Sequence, residues 1–393
     1  MLLYPTSPVV LDGGLASYHG TTLEELFGMD ISLKSPLWSA QQILDHPETI
    51  VETHLAFMRA GARIILTSTY QGSEETFRKA GYSDFEATNT MLKAIHLAND
   101  ARTSFLNESD PDVAVKIALS LGPFGASLSP AQEFDGFYPP PYGPIGFSDM
   151  KPMYNAFDED DVEAEQESIH ALAQFHLDRL LIFARDPEAW SIIDIIAFET
   201  VPLVREVKAI RMAMLSLKET MAAEGVDLAP KPWWITFVLP NGKCPQTQFA
   251  GGPHLTVQDL VFAALLWKPS EQTLGLLGAE PTPTGIGINC TSPELISGLA
   301  REMSAAVEQL HAPTREAPWL VLYPNGGDIY DLITRSWVLA SDDKRHTWAL
   351  DLKKTIDVEF WDRPGVWAGV VVGGCCRTGP GLIRQLHDEL KAS

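Results

Sequence analysis

Cysteine is scarce in this chain, with four residues in 393, at positions 244, 290, 375 and 376. That count, with no Cys-x₂₋₄-Cys pair, excludes a disulfide-stapled scaffold and the zinc-finger and ribbon modules. Positive charge is also short: 29 Lys and Arg stand against 51 Asp and Glu, a net charge of −22. A chain that acidic is unsuited to nucleic-acid phosphates and leans, weakly, toward a neutral or cationic ligand. No apolar run approaches the length of a membrane span. The start, Met1-Leu-Leu-Tyr-Pro, lacks the basic region and long apolar stretch of a secretory signal. A reducing, cytoplasmic setting with free thiols is therefore expected. No Gly-x-Gly-x-x-Gly opens a helix, so a nicotinamide cofactor is not expected. Internal repeats and low-complexity tracts are missing too.

What is present is enough apolar residue, 45% of the chain, to build a large core. Eight short apolar runs alternate with amphipathic stretches: Val9–Asp12, Arg63–Thr67, Val115–Ser120, Ile192–Phe198, Trp233–Val238, Gly285–Asn289, Trp319–Tyr323 and Val366–Gly373. Uninterrupted apolar strands separated by helices are what a parallel sheet covered on both faces requires. Helical spacing predicts helices over 49–59, 73–79, 86–105, 160–184, 203–223, 255–264, 293–309 and 381–390. Eight such strands close a (β/α)₈ TIM barrel, and the chain is read as one barrel domain, residues 1–393, with long loop insertions. The surplus length falls at 22–47, 123–153, 225–232, 267–284 and 338–365. The second of these is rich in Pro and Gly and long enough for a lid over a site.

In such a barrel the residue just past each strand faces the catalytic mouth. Those positions hold Asp12-Gly13-Gly14, Thr67-Ser-Thr-Tyr70-Gln71, Gly122-Pro-Phe124-Gly, Glu199-Thr200, Asn289-Cys290, Tyr323-Pro-Asn325 and Gly374-Cys375-Cys376-Arg377. A lone free cysteine is ordinarily a small buried hydrophobe, but three of the four here end two separate strands. Soft thiolates suit Zn²⁺, and three protein ligands with one open position make a catalytic rather than a structural site. Cys244, in a turn-like segment, is set aside as structural or incidental. Asp12 and Glu199 follow apolar strands, where an unpaired charge is costly. They are read either as a cap or buried Arg partner, or as carboxylates for the ammonium of an amino-acid substrate.

The same residues carry a resemblance. Leu11-Asp-Gly-Gly-Leu-Ala, Leu66-Thr-Ser-Thr-Tyr-Gln-Gly-Ser, Leu121-Gly-Pro-Phe-Gly-Ala, Glu133-Phe-Asp-Gly-Phe-Tyr, Phe198-Glu-Thr-Val-Pro with Glu206, Gly287-Ile-Asn-Cys-Thr, Tyr323-Pro-Asn-Gly-Gly and Gly373-Gly-Cys-Cys-Arg-Thr run nearly end to end. In that order they resemble the homocysteine S-methyltransferases, a zinc- and thiol-dependent family that includes betaine-homocysteine methyltransferases and the homocysteine domain of methionine synthase. The Glu133 segment resembles the branch using S-methylmethionine or S-adenosylmethionine. The resemblance implies a (β/α)₈ barrel with zinc on Cys290, Cys375 and Cys376. It implies substrate contacts at Asp12, Gly13, Tyr70, Glu199 and Asn289, with Arg377 near the site. Two departures stand out: Ser17-Tyr18 replaces a Thr-Glu pair, and Gly326 replaces a Ser.

The implied reaction moves a methyl group from a sulfonium donor to the thiol of homocysteine, giving methionine, with only small molecules as partners. Zinc would deprotonate the thiol, and Tyr70, Phe124 and Tyr138 would receive the sulfonium by cation–π contact. The competing readings are a barrel protein without catalysis that keeps the zinc site, a methyltransferase for another thiol, and a different barrel enzyme. That last would carry a strand-end Lys or a His-rich metal set; His54, His96, His170 and His176 instead fall in predicted helices.

Overall fold

The computed structural model describes residues 7–15, 22–27, 37, 40–150, 152–267, 281–310, 316–331, 336–338 and 342–392. Eight parallel strands run in the order expected of a barrel. They are β1 Val9–Val10, β2 Ile64–Leu66, β3 Lys116–Leu121, β4 Ile195–Val201, β5 Trp233–Phe237, β6 Gly285–Asn289, β7 Trp319–Tyr323 and, after a short antiparallel pair β8 Ile329–Asp331 and β9 Ser336–Val338, β10 Gly369–Val372. The hydrogen-bonded order is β1-β10-β7-β6-β5-β4-β3-β2. The seam closes where Arg63 N donates to Val10 O (2.7 Å) and Asp12 N to Ile64 O (3.0 Å). The TIM barrel read from the sequence is the fold of the chain.

Alternation along each strand sorts the core into two layers. Inward residues Leu11, Ile64, Ala118, Ile195, Ala197, Trp234, Trp319, Val321, Tyr323 and Val371 fill the barrel. Their neighbours, such as Ile196, Phe198, Leu320 and Leu322, pack outward against the helices. Both faces are buried, so the strands carry no polar alternation until their carboxyl ends. There the inward series turns polar: two residues beyond Ala118 comes Ser120, and two beyond Ala197 comes Glu199.

The eight expected helices are present, and their local signals are plain. Pro47–Ala60 has Pro at its first position and ends on Gly61 at φ 117°. Asp84–Glu108 starts from a Ser83/Glu86 capping box. Two expectations need correction. Ile192 closes a short helix, Pro187–Ile192, rather than opening β4. Residues 338–365 are no mere insertion, because Asp342–Ile356 is the crossover helix between β7 and β10. Among the described residues of the segment 123–153 there is one short 3₁₀ helix, Phe124–Ser127, and otherwise turns and irregular chain. Residues 268–280 of one expected insertion, and the Ser17-Tyr18 departure, lie outside the described residues.

Candidate active site

Three sulfurs meet at the carboxyl end of the barrel. Cys290 follows β6, Cys375 and Cys376 follow β10, and their Sγ atoms all lie within 4.8 Å of one another. Cys290 Sγ and Cys376 Sγ are 3.7 Å apart. Among the described residues this is the only group of three His, Cys, Asp or Glu side chains placed to hold a metal ion. Cys290 is buried and adopts φ 47°, an unusual left-handed conformation for a residue with a side chain. Thr200 (φ 59°), past Glu199 on β4, and Arg377 (φ 62°), past Cys376, share it. Such conformations cluster where a strand end is bent to aim a side chain at a site. Hydrogen bonding to its two cysteine neighbours, then burial, pushes the Cys290 thiol well above the ordinary range. The Cys375 thiol is raised as well, so these two neighbours resist ionisation unless a cation joins them.

The two cysteine loops are laced to their surroundings by backbone. Cys375 N donates to Pro324 O (2.8 Å), Gly326 N to Cys376 O (2.9 Å) and Gly374 N to Asp12 O (3.0 Å). Glycine is required where these loops touch. A Cβ on Gly13 would meet Thr378 O at 2.1 Å, and one on Gly14 would meet Cys375 O at 2.6 Å. The Gly326 departure belongs to the same seam, since a Cβ there would meet Arg377 O at 2.0 Å. Arg377 itself donates from Nε to the buried Asp328 Oδ2 (2.6 Å).

Around the sulfurs stand three buried carboxylates, and none forms an ion pair with Lys or Arg among the described residues. Asp12 Oδ2 accepts from Leu66 N (2.9 Å), while Oδ1 has no hydrogen-bond partner among the described residues. Burial raises its pKa well above the usual carboxylate range, and the charges of Glu199 and Cys375 add to this. Glu199 accepts from the Ser120 hydroxyl; burial lifts its pKa to about 8, against the hydrogen bonds of Ser120 and Tyr323. Glu133, on the 123–153 loop, is likewise lifted to about 8 by burial and then by the charges of Cys375 and Asp135. Among the described residues neither Asp12 nor Glu199 forms an ion pair with Arg or caps a helix.

Asn289 bridges the thiols to β4. Its Oδ1 accepts from Thr200 N (2.8 Å), and its Nδ2 donates to Thr200 Oγ1 (2.8 Å) and toward Cys375 Sγ (3.8 Å). Tyr70 lies among these groups, with a hydrogen bond to Thr200. Its phenol pKa is raised by burial and then by the charges of Glu133 and Cys290. Phe124 and Tyr138, expected beside Tyr70, are elsewhere. They pack with Ile169, Leu172 and Leu203, and Phe124 stacks on Tyr142 with centroids 3.9 Å apart.

The groups that hold this loop were not legible as such. Glu206 is fully buried and accepts from Phe124 N (2.7 Å) and Tyr138 OH (2.7 Å), with His176 Nε2 at 3.0 Å. Burial keeps His176 below its usual pKa despite that partner. Arg179 donates to the carbonyls of Gly72, Gly122, Thr69 and Tyr70 at 2.7–3.2 Å, binding the β2 and β3 loops together. Nothing in the spacing of His176 and Arg179 distinguishes them from other helix residues. His54 is a neutral core histidine, with a pKa lowered by burial to about 4, and Cys244 is buried away from the other thiols beside Pro202 O.

The family model for homocysteine S-methyltransferases matches residues 9–390. Homocysteine S-methyltransferase 2 of Zea mays is 30% identical over 390 residues, covering 98% of this chain and 90% of that protein. Selenocysteine Se-methyltransferase of Brassica oleracea var. italica is 29% identical, covering 97% and 88%. The metallated form of the homocysteine methyltransferase MmuM from Escherichia coli superposes with a TM-score of 0.62 at 22% identity, over 98% of this chain and 96% of that one, and so shares the barrel fold. With a match spanning nearly every residue and the motif positions gathered at one barrel mouth, the chain belongs to the homocysteine S-methyltransferase family of enzymes.

Proposed function

We propose that this protein transfers a methyl group from a sulfonium donor, S-methylmethionine or S-adenosylmethionine, to the thiol of homocysteine, forming methionine. The observation that carries the reading is the cluster of Cys290, Cys375 and Cys376. Its all-sulfur donor set suits zinc, and Zn–S bonds of about 2.3 Å at tetrahedral angles place sulfurs about 3.8 Å apart. The 3.7 Å between Cys290 and Cys376 fits that geometry. Zinc bound there supplies a Lewis acid that favours the thiolate form of the acceptor, whose free pKa near 8.5 leaves only a few per cent ionised at neutral pH.

The chain's own residues supply position. Asp12 and Glu199, on opposite sides of the barrel mouth, face the homocysteine ammonium and offset its charge. Asn289 orients Cys375, Tyr70 closes the face toward the donor, and Gly13 lets the backbone approach. The donor is already activated, so alignment of acceptor sulfur, methyl and leaving sulfur within attack distance is the remaining requirement. The likeness to a selenocysteine Se-methyltransferase supports extending the acceptor class to selenols. We read the whole chain as one domain working in the cytoplasm, with no macromolecular partner. The family match over 9–390 supports the first, and no helix among the described residues is long and apolar enough to cross a membrane.

The test is methionine formation from homocysteine with each donor, alongside metal analysis of the purified protein. Methyl transfer with about one zinc per chain is expected. A zinc-loaded protein inert toward every sulfonium donor would overturn the reading and favour a non-catalytic role.

A further inference from the structure

Glu133 has no place in the scheme so far. It is 6% exposed, and its Oε2 is buried with no hydrogen-bond partner among the described residues. The charged groups that bear on it, Cys375 and Asp135, have its own sign, and the Tyr70 phenol feels both it and Cys290. A buried carboxyl without a partner keeps its proton until a cation joins it, so a fold that holds one beside a site offers it to a cationic ligand.

Its backbone is fixed for that purpose. Gln132 N donates to Gly125 O (2.9 Å) and Gly136 N to Gln132 O (2.9 Å). Asn155 Nδ2 donates to Asp135 O (2.8 Å). Gly125 presses so closely on this segment that a Cβ would meet Glu133 N at 2.8 Å. The carboxylate is thus held by a loop close enough to the cluster for Cys375 to act on it, separately from Asp12, beyond β1, and Glu199, on β4.

Which cation follows from the charge balance of methyl transfer. The acceptor thiolate donates the electron pair that forms the new S–C bond. The donor's S–C bond breaks with its pair returning to the donor sulfur, which leaves as a neutral thioether. Both the thiolate and sulfonium charges vanish as the transition state is crossed. A carboxylate set against the sulfonium would stabilise the reactants more than the transition state and slow the reaction. The α-ammonium of an amino-acid donor keeps its charge throughout, so a carboxylate on it adds affinity without that penalty.

We infer that Glu133 receives the α-ammonium of the methyl donor and so selects sulfonium amino acids over simple sulfonium compounds. This rests on the proposed reaction. The test compares binding of S-methylmethionine and of its analogue lacking the α-amino group, by calorimetry, to zinc-loaded wild type and Glu133→Gln. The substitution is nearly isosteric, and an equal melting temperature checks the fold. S-methylmethionine affinity should fall about 30-fold or more in the variant, as expected for loss of one partner of a buried charge pair. The desamino analogue should bind both proteins equally. In turnover the loss should fall on KM for the donor, with KM for homocysteine unmoved.

Unchanged S-methylmethionine affinity overturns the inference. An equal loss for both ligands does so too, because it assigns the carboxylate to the sulfonium or to loop shape. A fall in zinc content in the variant overturns it by making Glu133 a metal ligand. Failure of wild type to methylate homocysteine sinks the proposed reaction instead, while the binding comparison still judges Glu133.

Discussion

Asn289 Nδ2 lies 3.8 Å from Cys375 Sγ while the same side chain makes two 2.8 Å hydrogen bonds to Thr200, so one amide sets the β10 thiol against the β4 strand end. Partners that orient a metal ligand are commonly worth 10–100-fold in affinity. Asn289→Ala should therefore weaken zinc binding by about that factor in a chelator competition, with the chain still folded. Equal competition curves for the two proteins would reduce Asn289 to a packing residue.

Replacing Cys290, Cys375 or Cys376 by Ser should drop metal content from about one per chain to under about a tenth, and methyl transfer with it. Cys244→Ser should change neither. Its sulfur is buried beside Pro202 O, and burial lifts its pKa to about 12, the mark of an inert thiol. Full metal retention in Cys375→Ser would remove that residue from the ligand set.

Stability should depend on pH through the buried carboxylates. In the metal-free, ligand-free protein Glu199 keeps its proton up to about pH 8, whereas an unperturbed glutamate releases it near 4.5. Between those values the folded state binds more protons than the unfolded chain, so rising pH favours unfolding. The stabilisation is complete below pH 4.5 and is lost as pH passes through about 8. Melting temperatures of the apo wild type should fall between about pH 5.5 and about pH 8.5, and Glu199→Gln should flatten that fall. Parallel curves for both proteins would place the titration elsewhere.

Glu206→Ala should destabilise the chain by about 3 kcal/mol or more, because it strands the Phe124 amide, the Tyr138 hydroxyl and the His176 ring in a dry environment. Denaturant unfolding measures this. The same variant should raise KM for the donor before KM for homocysteine, since the loop it holds carries Glu133. A loss shared equally by both constants would argue that Glu206 supports the whole barrel mouth.

The barrel and the thiol cluster were legible in the sequence because each rests on local pattern. Strands buried on both faces leave continuous Val and Ile runs, and a polar residue ending such a run marks the mouth. The helix Asp342–Ile356 escaped notice because its start is a run of charge, Asp342-Asp-Lys-Arg-His. The signal lay in Trp348, Leu352 and Ile356, four residues apart and buried at 1%, 2% and 0%, but three apolar residues are thin evidence. Ile192 reads as strand because an apolar helix end abutting a strand makes one continuous run. Phe124 and Tyr138 were misplaced for another reason. An aromatic on an irregular loop has no periodicity to fix its direction, and the partner that decides it, Glu206, lies on the helix Val204–Ala223, one strand further along.

Cys290 follows β6, whereas Cys375 and Cys376 follow β10, the last of the barrel strands along the chain, and β7 is paired between the two. The three sulfurs meet only once β6, β7 and β10 are paired, so a growing chain offers the metal at most one of them until β10 is in place. Metal capture then follows the docking of β10 on β7, as a latch on strands already paired rather than a seed for them. Zinc supply should govern how long the finished protein survives more than how fast it forms.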